Sequence, residues 1–247
     1  MIFLLLQAGP KRSGVDYLVG VDGCHAGWIT AEATQGSVHV VCRRINMLDD
    51  LFFRKSKPKI VAIDIPIGLP EAGAREADLE ARRLLGPRRN SVFPAPIRPT
   101  LLSNSQEEAS EVRRQVEGKG VSIQTFAIIP KIREVDQMLC KNVSRRAIVC
   151  EVHPEVSFFY MNGGLPMRFP KKNTLGREER ISLLRTWCGN SIDESLMTTR
   201  HLQCKTDDII DAFAALWTAQ RIYHGESVSL PLHPSLDRYG LRMEIIA

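Results

Sequence analysis

A chain of 247 residues can bury a full core and fits one large α/β domain or two tightly joined lobes. Apolar residues make up 44% of it and charged residues 25%, which excludes a disordered or fibrous protein. The 33 lysines and arginines against 28 acids give a formal charge of +5, which permits an anionic partner without identifying one. The opening MIFLLLQAGP has too short an apolar run for a signal-peptide core, and no stretch reaches membrane-spanning length. None of the six cysteines falls in a C-x-x-C pair, so they read as reduced thiols of a cytoplasmic protein. Cys24, His25, Cys150 and His153 match the spacing of no common zinc knuckle, and packed thiols are the plainer reading.

Past a tail over residues 1–16, Tyr17–Asp22 is β-branched and runs into Gly23, which predicts a strand ending in a turn. Trp28–Thr34 and Val38–Arg43 predict two more strands, making an antiparallel meander, and Leu48–Arg54 a short helix. Lys59–Asp64 is an apolar run bounded by Pro58 and Pro66, the pattern of a buried strand. A charged amphipathic helix is expected over Ala74–Leu85, stopped by Gly86-Pro87. Arg88–Thr100 carries three prolines and should be extended and irregular. Helices near Gln106–Glu117 and Lys131–Lys141 complete a helical insertion at about 71–145, before a strand over Arg146–Glu151. Short helices near Glu155–Met161 and Arg177–Cys188 lead to a long apolar helix, Thr206–His224, stopped by Gly225, in which Phe213 and Trp217 are expected in the core.

Three of these strands end in Asp22, Asp64 and Glu151, and the last helix opens with Asp207, Asp208 and Asp211. Ligand crevices in open α/β sheets lie at the C-terminal ends of strands, so acids placed there converge. Like charges at close range raise one another's pKa, and a hard divalent cation relieves the conflict. Mg²⁺ or Mn²⁺ in such a cluster stabilises the oxygens of a phosphodiester displacement. Asp207 and Asp208 also suit a helix N-terminus, and Asp22 and Asp64 suit turns, but Asp211 lies too far into the helix for capping. Candidate contacts for an anionic substrate are Arg88, Arg89 and Arg98 around Phe93, Lys119 between two glycines, Lys131, the Lys171-Lys172 pair and His153. The plain alternatives are a proline-rich strap with solvated arginines, an ordinary loop at Lys119, and a turn at His153.

In chain order the segments VGVDGCHAGW, VAIDIPIGLP, GPRRNSVFPAP, GKGVSIQ, IPKIREVD, EVHPEVSF, TDDIIDAFAALWTA and GLRMEIIA resemble the DUF429 family of predicted RNase H-like nucleases, from Tyr17 to Ala247. The resemblance implies an α/β fold with an RNase H-like mixed five-stranded sheet flanked by helices, in a single domain over 17–247. It carries over Asp22 as the first-strand acid, Asp64 as the fourth-strand acid and Asp208 and Asp211 as the late-helix acids. Glu151 and Glu155 fall in the family's EVHPE motif. The expected activity is hydrolysis of DNA or RNA with Mg²⁺ or Mn²⁺ held by Asp22, Asp64, Glu151, Asp208 and Asp211. The alternative is a nucleotide- or small-molecule-binding RNase H-like protein without nuclease activity. An actin-like phosphotransferase is disfavoured, because no second glycine-rich phosphate loop is visible.

Overall fold

The computed structural model describes residues 16–247, so the tail predicted over 1–16 lies, apart from Asp16, outside the described residues. The chain runs through β1 (Tyr17–Cys24), β2 (Gly27–Thr34), β3 (Val41–Ile45), α1 (Asp50–Phe53) and β4 (Ile60–Ile63). Then come α2 (Glu76–Leu85), α3 (Gln106–Glu117), α4 (Ile123–Lys141), β5 (Val149–Glu151), α5 (Pro154–Met161) and α6 (Thr174–Cys188). It closes with α7 (Ser191–Leu196), α8 (Thr199–Leu202), α9 (Thr206–His224), β6 (Ser229–Leu230) and β7 (Ile245–Ile246).

The five principal strands form one mixed sheet in the order β3-β2-β1-β4-β5. The first three are antiparallel neighbours, while β4 joins β1, and β5 joins β4, in parallel. This is the mixed five-stranded α/β sheet expected, an arrangement consistent with an RNase H-like fold.

Alternation of side chains sorts the sheet into two faces. Leu18, Ile29, Ala31 and Ala62 pack with α9 residues such as Ile209, Phe213 and Leu216. Val19, Val21, Trp28, Val61, Ile63 and Val149 pack on the other side with Ile129, Ile132 and Val135 of α4. Gly20 is what lets α9 settle onto β1. A Cβ there would stand 2.1 Å from both the Ala212 carbonyl oxygen and the Leu216 nitrogen, which are backbone atoms. That close approach fixes the part of α9 that carries Asp208 and Asp211 against the end of β1.

Several elements depart from the expected bounds. Pro130 lies inside α4, and the helix starts eight residues before Lys131, where the Ser122 hydroxyl accepts the Thr125 N–H at 3.1 Å. The proline-rich stretch holds two 3₁₀ turns, Gly86–Ser91 and Arg98–Leu102. The strand expected at Val38 begins at Val41, and the one expected at Arg146 begins at Val149. Neither α7 and α8 nor the β6–β7 pair was anticipated.

Candidate active site

Asp22 and Asp64 meet because of strand register. The parallel pairing of β1 with β4 matches Gly20 to Ala62 and Val21 to Ile63, and the Asp64 N–H donates to the Val21 carbonyl oxygen at 2.9 Å. The next position on each strand is an aspartate. Asp22 shares a face with Gly20, and Asp64 with Ala62, so both point to the side covered by α9. From that helix Asp211, 3% exposed, comes near enough for its charge to act on both.

The electrostatics record the crowding. Burial, then Asp64, Asp211 and Asp208, push the Asp22 carboxyl well above the ordinary carboxylate range, and Lys171 opposes this. Burial and Asp211 push Asp64 up to about 7, again against Lys171. Asp208 is raised mainly by burial, offset by the Lys205 N–H, which donates to its Oδ2 at 2.8 Å. Asp208 thus closes the N-terminus of α9 and stands at the margin of the cluster. Asp207 turns aside to Arg177, 3.4 Å away. The Lys171 Nζ donates to Asp211 Oδ2 at 2.6 Å, and the other carboxylate oxygen, Oδ1, is buried without a hydrogen-bond partner. Among the described residues, no three His, Cys, Asp or Glu side chains are gathered at metal-holding geometry.

Glu151 lines the same cavity as Asp22 and Asp64, but its carboxylate is turned to other partners. It pairs in register with Ile63, so its side chain leaves the sheet on the face opposite Asp64. There Arg75 grips both its oxygens at 2.7 Å, and the Ile67 N–H donates to Oε2. Arg75 also pairs with Asp78 at 2.6 Å, and Asp78 accepts the Ala95 N–H, so the group locks the start of α2 to β5. Nothing in the order of residues singled out Arg75 as the partner. Glu155 is likewise committed, to a bidentate ion pair with Arg180.

Asp22, Asp64 and Glu151 line a cavity of about 780 Å³ whose wall also carries Arg88, Lys131, His153, Lys171, Lys172 and Lys205, while Asp208 and Asp211 fall outside its lining. Arg88 has a buried Nε without a partner. Lys131 crosses Gly23, donates to the Gly27 carbonyl oxygen and lies 4.2 Å from the Trp28 ring centroid. His153 stands at the N-cap of α5, yet its side chain makes no cap bond and its Nδ1 is buried and unpartnered. Burial lowers the His153 pKa, which keeps the ring neutral near pH 7. Phe93 is exposed at the cavity wall, Phe213 is in the core, and Trp217 is half-buried beneath Arg221.

The remaining basic candidates lie elsewhere. Arg98 is only 8% exposed, paired with Asp136 at 2.8 Å and with Asp237, and stacked on Tyr239. It ties the irregular strap to α4 and the C-terminal segment, so it is a structural cation rather than a phosphate contact. Arg89 is exposed and outside the cavity lining, with its carbonyl oxygen accepting from Arg82. Lys119 is exposed in the α3–α4 loop, also outside the cavity lining.

Residues 20–235 match the family described as "Protein of unknown function (DUF429)". The chain belongs to the DUF429 family. The match begins within β1 and runs past α9, so the four candidate site aspartates of this DUF429 chain, Asp22, Asp64, Asp208 and Asp211, fall within it. No curated protein and no solved structure matches the chain. All six cysteines are unpaired thiols, and among the described residues no helix is long and apolar enough to cross a membrane.

Proposed function

We propose that this chain is a metal-dependent nuclease that hydrolyses phosphodiester bonds, with Asp22, Asp64 and Asp211 holding Mg²⁺ or Mn²⁺ and Asp208 at their edge. The observation that carries the reading is the meeting of Asp22 and Asp64 on adjacent parallel strand ends, beneath a helix that adds Asp211. The donors are hard carboxylate oxygens, and the buried, unpartnered Asp211 Oδ1 leaves a lone pair for a cation, which suits Mg²⁺ or Mn²⁺ rather than a soft ion. A bound divalent cation lowers the pKa of water and offsets negative charge on a phosphoryl oxygen.

The chain's own residues supply the rest. Arg88, Lys172 and Lys205 on the cavity wall draw in the phosphate backbone, and Lys131 adds positive charge beside Asp22. Neutral His153, with its free Nδ1, orients a water molecule or accepts its proton. Phe93 offers a face on which a base can stack. Glu151 and Glu155 build the walls through their arginines and hold no metal.

The test is a cleavage screen of single-stranded, duplex and branched DNA and RNA in Mn²⁺ or EDTA. Wild type is expected to cut at least one substrate only with metal, and Asp64→Asn to lose the activity. Equal cutting by both chains would sink the reading. The second reading, a small-molecule binder without nuclease activity, draws on the size of the cavity, which falls in the range of small-ligand sites. Nucleotide binding with no cleavage of any polymer would favour it.

A further inference from the structure

Lys171 is a cation delivered into the acid cluster by a loop built to hold it there. The Arg168 and Phe169 N–H groups donate to Glu179 at 2.9 and 3.1 Å. Arg180, itself gripped by Glu155, donates to the Phe169 carbonyl oxygen at 3.2 Å. On the far side, Asn173 caps α6 by accepting the Gly176 N–H at 2.7 Å. A Cβ on Gly176 would stand 2.0 Å from the Pro170 carbonyl oxygen, so at this point the backbones of α6 and the loop are in direct contact. The chain is therefore fixed within two residues on either side of Lys171, whose partly exposed side chain reaches Asp211 with its Nζ.

We propose that Lys171 is a tethered cation that takes one metal position of the cluster, so that the site binds a single divalent ion and Lys171 supplies the other positive charge. The inference rests on the metal-centre reading above and goes beyond it by setting the metal count. Its ammonium holds Asp211 Oδ2 at 2.6 Å while Oδ1, buried, stays open for the ion. Charge balance points the same way. Asp208 at the edge and Lys131 beside Asp22 offset one another, so three carboxylates, the Lys171 ammonium and one divalent ion are neutral together, whereas a second divalent ion would leave an excess of two positive charges. Glu155 becomes a positioning residue in this scheme, acting on Lys171 through Arg180 and the Phe169 carbonyl.

The test counts bound Mn²⁺ per chain, by calorimetry and by the loss of the free-ion electron paramagnetic resonance signal, for wild type, Lys171→Arg, Lys171→Met and Asp64→Asn. One ion is expected in wild type and in Lys171→Arg, two in Lys171→Met, and at least tenfold weaker binding in Asp64→Asn. Two ions in wild type, or one ion at unchanged affinity in Lys171→Met, would overturn the assignment of Lys171 and leave the metal centre standing. No Mn²⁺ bound by any chain would overturn both. If Lys171→Met does not fold, wild type and Lys171→Arg still decide: one ion supports the assignment and two defeat it. One ion bound without cleavage of any nucleic acid supports the lysine assignment while removing the nuclease reading.

Discussion

Replacing Asp64 by Asn removes one negative charge from the aspartate cluster while keeping the side chain's shape. The folded protein holds the Asp64 carboxyl at about 7 against an ordinary 3.8, through burial and the Asp211 charge. At ~1.36 kcal/mol per pKa unit, a shift of about three units sets a ceiling of about 4 kcal/mol on the apo-state penalty. Burial is the larger cause and Asp211 the next, and the buried amide of Asn escapes the first only in part, so the gain is about half of that ceiling, or roughly 2 kcal/mol. The sign follows from proton binding. Between about pH 4 and about pH 7 the folded chain holds a proton that the unfolded chain has released, so wild-type stability falls as pH rises through this window. Below it the carboxyl is protonated in both states and the penalty vanishes. Urea unfolding in EDTA should show Asp64→Asn about 2 kcal/mol more stable than wild type near pH 8 and equal to it near pH 4. A variant less stable at pH 8, or a difference that ignores pH, would refute the crowding of these carboxylates.

Asp211→Asn should move apo stability the other way, by about −1 to −2 kcal/mol near pH 8, because Lys171, partly solvated, loses its nearest counter-ion; urea unfolding beside Asp64→Asn checks the opposite signs. Glu151→Gln should cost about 3 to 5 kcal/mol with or without metal, since it leaves buried Arg75 with Asp78 as its one remaining acid partner. A thermal melt that drops by the same amount in EDTA and Mn²⁺ is the expected result, and Mn²⁺-dependent loss would return Glu151 to the metal site. Gly20→Ala should cost several kcal/mol or prevent folding, because the new Cβ meets backbone of α9 that cannot swing aside. Circular dichroism and the melting temperature decide this, and a native-like melt would show that α9 sits further from β1.

The aspartates were legible because each signal is local. A β-branched strand ending in Asp-Gly, an apolar run ending at Asp64, and an acid one turn into a greasy helix can each be read within a few residues. Glu151 looks the same by that rule, yet register turns its carboxylate to Arg75, because only register decides which face of a sheet a strand-end residue takes. Arg98 was misread for a related reason, since its partners Asp136 and Asp237 lie 38 and 139 positions away in the chain. Pro130 masked the first turns of α4: a proline usually opens a helix, but this one sits inside, where the earlier start comes from Ser122. In sequence Lys171 reads only as one of a pair of candidate anion contacts with Lys172. Its importance depends on α6 and Arg180 pinning the loop, a tertiary arrangement that its neighbours in sequence do not disclose.

The most direct test of the metal centre is a crystal grown at about pH 8 and soaked in Mn²⁺, with anomalous scattering measured at the manganese edge. One peak among Asp22, Asp64 and Asp211, with Lys171 still on Asp211 and none beside Glu151, is the expected result. A crystal in which these three aspartates carry no manganese while a peak lies elsewhere, or in which no peak appears at all, would contradict it.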